Sequence, residues 1–178
     1  MIAYLLLLLA VVTRVVPHAG WLNFTAVGGA LLYFGARRPM REMLAPVAAL
    51  IATDFYLTVY AYNYPFKWEG YVPTWLWCLG AMLLGRILLS ERPAAWRVIA
   101  AALLGPTSFW IISDFAVWAG GGMYPRTLAG LEACFVAAIP FYRNDMASTT
   151  LVLGLAYGIP ALLRRFNATP EHAALVGK

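Results

Sequence analysis

The sequence predicts an all-α protein: a polytopic membrane helix bundle of about six transmembrane helices with a re-entrant segment before the last. Three observations carry this. Hydrophobic residues fill 62% of the 178 positions and charged residues only 12%, about half the charge a soluble domain carries. Mean hydropathy is +0.72. The apolar residues also lie in long runs, at 2–16, 22–36, 43–60, 72–89, 98–119 and 149–163, each approaching or reaching the ~17–25 residues that cross a bilayer as helix. No sustained period-two alternation marks barrel strands, and the lipid core demands internally satisfied backbone, which leaves helices.

Each run is bounded by breakers. Pro17-His18-Ala19-Gly20 ends the first, and Arg37-Arg38-Pro39 the second. An aromatic, polar loop from Tyr62 to Tyr71 follows the third, Ser90-Glu91-Arg92-Pro93 follows the fourth, and Gly120-Gly121-Gly122 the fifth. The domain reading is one transmembrane unit over 1–166 and a short polar cytoplasmic tail over 167–178. No positive residue precedes the first run and no small-x-small cleavage site follows it cleanly, so a retained helix is expected rather than a cleaved leader.

Orientation comes from arginine. Arg37, Arg38 and Arg41 mark one cytoplasmic loop, Arg86, Arg92 and Arg97 another, and Arg164 with Arg165 a third. The short stretch 127–142 contains Glu132 and Pro140. If it dips in and returns, six spans put all three clusters and both termini on the cytoplasmic side of a bacterial inner membrane. The same clustering excludes a nucleic-acid reading of the net charge of +5, because no aromatic-interleaved basic stripe exists.

Ionisable residues within a bilayer cost roughly 2.5–3.5 kcal/mol each on insertion scales. By helix rise, Asp54 lies some 20 Å from Arg41, so it falls in the outer half. Asp114, Glu132, Arg143 and Asp145 fall on that side too, among Tyr56, Tyr60, Tyr71, Trp75 and Trp77. The arrangement suits either an interfacial aromatic belt or a pocket open to the outer face. Asp54 and Asp114 are candidates both as structural carboxylates and as ligand contacts. Arg143, between Pro140 and Asp145, reads as a guanidinium on a rigid turn, or as a partner of Asp145 or Glu132. His18 has no second histidine nearby, which disfavours a metal. Cys78 and Cys134 sit inside apolar runs, so no disulfide framework is expected. Ala26 and Ala30 form a small-xxx-small pair suited to internal packing or to docking of a partner helix.

The stretch from Arg14 through Pro17-His18, Asn23-Phe24-Thr25 and Val27 to Ala30 resembles the signature R-x-x-P-H-x-x-N-F-T-P-V-x-A of a bacterial membrane family of unknown function. That family is similar to the substrate-binding S components of energy-coupling-factor (ECF) vitamin transporters. Thr53-Asp54, Ser113-Asp114-Phe115-Ala116-Val117-Trp118, and Tyr124-Pro125 with Ile139-Pro140-Phe141-Tyr142-Arg143-Asn144 match three further blocks in order, over nearly the whole chain. Ala26 replaces the usual proline, and Asp114 stands where asparagine is common.

The same neighbourhood holds the BtuM-type group of vitamin B12 transporters. That resemblance implies His18, Asp54, Tyr71 and Arg143 as pocket residues and a cysteine close to the corrinoid cobalt, for which Cys78 is the candidate. The expectation is therefore a binding and uptake protein for a vitamin-sized solute, with cobalamin as one ligand and no other cofactor. Its partners would be membrane lipid, the solute and either ECF-type energising subunits or none, since the chain has no P-loop. Two other readings compete: an intramembrane enzyme using Cys78 or a carboxylate pair, and a purely structural protein. No HExxH or GxSxG pattern supports the enzyme.

Overall fold

Apolar runs become helices here because each is long, rich in good helix formers and punctuated by proline. The computed structural model describes residues 1–16 and 22–166. Helix α1 is Ile2–Val15, α2 is Val27–Arg37, α3 is Leu44–Tyr56 and α4 is Val72–Leu89. Helix α5 is Ala95–Gly120, α6 is Leu128–Ala137 and α7 is Ile139–Leu153. Val16 and Arg38 both turn extended, and each precedes a proline, which disfavours the helical region for the residue before it. Pro73 and Pro140 instead fall in the first turns of α4 and α7, where the missing N–H would have no partner anyway. Thr127 caps α6 by accepting from the Gly130 N–H at 3.1 Å.

The helix count differs from the sequence reading. Among the described residues there are seven α-helices and no strand. Four continuous helical stretches are long and apolar enough to cross a membrane: Met40–Ala61, Trp68–Leu89, Ala95–Gly120 and Ile139–Phe166. Helices α1, α2 and α6, with 14, 11 and 10 residues, fall below the ~17–25 residues of a full span. The second run loses its start because Asn23 adopts a left-handed φ of 59°, and helix resumes only at Val27.

The expected re-entrant dip over 127–142 does not form. Cys134 Sγ reaches the Asp114 carbonyl at 3.4 Å, Phe135 packs on Trp110, and Tyr142 lies beside Thr107 at 3.0 Å. The stretch thus advances along α5 from its C-terminal end and does not return. Pro140 cannot extend the hydrogen-bond ladder of α6, so the helix breaks at Ala138 and restarts as α7.

Helix α2 is the centre of the bundle. Residues 27–35 are all buried, packed by α1, α4, α5 and α7. Its contact with α4 is backbone to backbone. A Cβ added at Gly35 would lie 1.8 Å from the Met82 carbonyl oxygen, and one at Gly85 1.9 Å from that of Leu32. Large apolar side chains such as Leu8, Ile87, Leu103, Ile111 and Leu151 remain exposed, a surface that suits lipid and is a liability in water.

The two ends of the bundle differ in chemistry. At one end Tyr4 and Arg38 both donate to Glu42 at 2.6 Å, Arg37 donates to the Glu91 carbonyl, and Arg86 to that of Arg38. The arginines of all three sequence clusters belong to this end. The opposite end collects Arg14, Asp54, Tyr71, Trp75 and Asp114.

Candidate functional site

At that opposite end the helices leave three adjoining cavities, all lined by Asn23. The largest, about 580 Å³, is floored by an ion pair between Arg14 in the last turn of α1 and Asp54 in α3. Asp54 is 2% exposed. Its second oxygen accepts from the Trp75 indole N–H at 2.8 Å, so both carboxylate oxygens are held. A buried charge needs such partners, because desolvation otherwise outweighs whatever it gains. The Nε of Arg14 is buried without an acceptor. Beyond Asp54 the helix widens into a π turn, Leu57–Ala61, a distortion frequent at functional sites. Thr58, Ala61 and Tyr62 line the cavity from there. The Thr58 and Tyr71 hydroxyls pair at 2.5 Å, and Tyr71 clusters with Phe66 (5.2 Å) and Trp75 (5.9 Å), which are themselves 6.5 Å apart.

The second cavity, about 360 Å³, lies between α5, α6 and α7 and is lined by Phe109, Trp110, Asp114, Phe141, Tyr142 and Asp145 among others. Trp110 stacks on Tyr142 at 4.9 Å, and its indole N–H is buried with no partner. A recess of about 30 Å³, lined by Arg14, Thr74, Cys78 and Asp145, adjoins both. It holds about one water.

Of the residues expected from sequence, Asp54 and Tyr71 share the largest cavity and Asp114 lines the second. Cys78 is 2% exposed and opens only onto the narrow recess, which admits no macrocycle to a cobalt-ligating distance. Arg143 is exposed and lines none of the described cavities. It pairs with neither Asp145 nor Glu132, since the ion pairs among the described residues are Arg14–Asp54 and Arg38–Glu42. Pro140 opens a helix where the sequence suggested a rigid turn, so Arg143, two residues before the inward-facing Asp145, points about 200° away from it. Ala26 and Ala30 are buried against helices of this same chain, which leaves no face there for a partner helix. His18 lies outside the described residues. Among those described, no three His, Cys, Asp or Glu side chains gather to hold a metal ion.

Sequence reasoning missed Arg14 and Trp110 as site residues, and placed Trp75 and Asp145 at the outer end without singling them out. Arg14 carried a signal: it is an arginine at the end of the bundle away from the other clusters, about 21 Å of helix from the N-terminus. Asp145, Ser148 and Thr149, all buried, form an i, i+3, i+4 polar stripe on one face of α7.

Fold and site together define an all-helical protein with several helices long and apolar enough to cross a membrane and a polar, aromatic cleft at one end. The chain belongs to the family of unknown function DUF6580, which matches residues 1–172. That match carries no link to ECF S components or to the BtuM-type group. No curated protein and no solved structure matches the chain.

Proposed function

We propose that this protein resides in the cytoplasmic (inner) membrane of a bacterium, captures a small solute in its outward-facing cleft and serves in its uptake. The observation that carries the reading is the Arg14–Asp54 pair, with its carboxylate buried, under an open cavity of about 580 Å³. That volume lies within the roughly 300–1,000 Å³ of small-molecule sites, which combine apolar walls with a few convergent polar groups. Paired charges within a bilayer mark function more often than packing. With the arginine-rich end facing the cytoplasm, both termini lie inside and the cleft opens outward. The N-terminal signature that resembles S-component-like proteins runs through Arg14, Asn23 and Thr25, all of which line the cleft. The chain has no P-loop, so an ATP-driven step would need partner subunits.

A vitamin-sized heterocycle fits the volume better than a corrinoid, which is much larger and whose cobalt could not reach Cys78. An enzyme built on Cys78 has less support for the same reason: the thiol faces a recess of about 30 Å³. The test is mass spectrometry of what co-purifies with the full chain, followed by binding of a panel of vitamin-sized solutes to the emptied protein. A bound solute whose retention is lost in Asp54→Asn and Arg14→Gln supports the reading. An empty protein that takes nothing from the panel overturns it.

A further inference from the structure

The cavity between α5, α6 and α7 carries charge of one sign only. Among the described residues, Asp114 and Asp145 both line it, and no lysine or arginine does. Asp145 is 5% exposed. Its one hydrogen bond is a long one, accepted from the Thr149 hydroxyl at 3.5 Å, and neither described ion pair includes it. The Asp114 carboxylate accepts only from the Ser113 hydroxyl, at 3.4 Å. Arg14, which lines the recess Asp145 also faces, is already engaged by Asp54. The paired charges cancel, and two carboxylates are left over.

The rest of the wall is aromatic. Trp110 and Tyr142 stack at 4.9 Å, with Phe109 beside them on α5. Ring faces attract cations, and an ionised carboxylate in an apolar wall is costly until a counter-charge joins it. The Trp110 indole N–H is buried with no acceptor among the described residues, a donor that a ligand oxygen reaches once the ring turns toward the cavity.

We propose that this cavity binds an organic cation, an amine or quaternary ammonium that also carries a hydroxyl or carbonyl oxygen. The ammonium group lies against Asp145 and Asp114, the carbon skeleton against Trp110 and Tyr142, and the oxygen accepts from the Trp110 indole. This rests on the solute-binding reading and names the class of solute for the cavity that adjoins the Arg14–Asp54 cavity at Asn23.

The test uses the full chain in lipid nanodiscs, with choline and its neutral carbon isostere 3,3-dimethyl-1-butanol as probes. Calorimetry and tryptophan fluorescence report binding. Choline is expected to bind saturably, and the isostere at least about tenfold more weakly. Asp145→Asn, which keeps shape, and Trp110→Leu each weaken choline by about tenfold or more. Asp114→Asn, at a half-buried position that does not threaten folding, weakens it by a smaller factor. Equal binding of choline and isostere, or undiminished choline binding by both aspartate variants, overturns the proposal. So does failure of every primary to quaternary amine in a panel to bind. A neutral or anionic solute held with Arg14-dependent affinity would remove the cation and leave the solute-binding reading standing. Absence of any ligand, whatever its charge, would remove both.

Discussion

Removing Arg14 alone should destabilise the bundle far more than removing both members of the Arg14–Asp54 pair. In Arg14→Met, the Asp54 carboxylate stays 2% exposed with only the Trp75 indole as donor. Breaking a buried pair from one side costs about 3–5 kcal/mol, or roughly two to four powers of ten in the folded-to-unfolded ratio. Asp54→Leu leaves a guanidinium whose side chain is 25% exposed and which can turn into the open cavity, so it should cost less. The double variant removes both charges and leaves the Trp75 indole N–H without its acceptor, worth about 1–3 kcal/mol. The pair is therefore strongly non-additive, with a coupling of several kcal/mol. Equilibrium unfolding of the four proteins in mixed detergent micelles, followed by tryptophan fluorescence, measures it. Additive losses, or an Arg14→Met loss below about 1 kcal/mol, the value of a solvent-exposed pair, would refute a buried ion pair here. Solute retention gives a second readout: the double variant should fold and still fail to hold ligand.

Gly35→Ala and Gly85→Ala should each lower the unfolding temperature sharply, because a Cβ at either would lie within 2 Å of a carbonyl oxygen on the facing helix; Gly80→Ala, with open space around it, is the control. Arg143→Ala should leave solute retention unchanged within about twofold, since a side chain outside the cleft contributes little to affinity, and a loss measured by the same binding assay would return Arg143 to the site. Native protein should not react with a water-soluble maleimide, because Cys78 and Cys134 are both buried, and labelling should appear only on denaturation. Single cysteines at Glu91 and Met123, in a Cys-free background, should label from opposite faces of sealed vesicles, and labelling from one face would refute the alternating path of the helices.

The helices were legible because proline and apolar length are local signals; the ends of α1 and α2 sit where Pro17 and Pro39 require them. Their number was less so. Asn23 shortens the second run by adopting a left-handed turn, and hydropathy does not register a backbone angle. The fate of 127–142 depended on α5, since only the contacts of Cys134, Phe135 and Tyr142 with that helix show which way the chain continues.

The site was legible in half. Asp54 and Asp114 announced themselves through the cost of charge among apolar residues. Their surroundings did not, because Arg14 is 40 positions from Asp54 and Trp75 is 21, separations at which no helical periodicity operates. Arg143 misled because charge was visible in the sequence and direction was not. One hundred degrees per residue decides whether a side chain faces a cleft or lipid, and that depends on where α7 begins.

The glycine seam between α2 and α4 bears on how such a cleft opens. Carbonyl oxygens seated in the hollows left by Gly35 and Gly85 act as pegs: a slide or roll of either helix would drive a Cα into an oxygen. These two helices therefore form a fixed post. On the proposed uptake reading, release of a solute toward the arginine-rich side would fall to the elements around this post, α1 and α3 on one flank and α5 to α7 on the other. The Arg14–Asp54 pair ties the two members of the first flank together, so on that reading it would couple their movement.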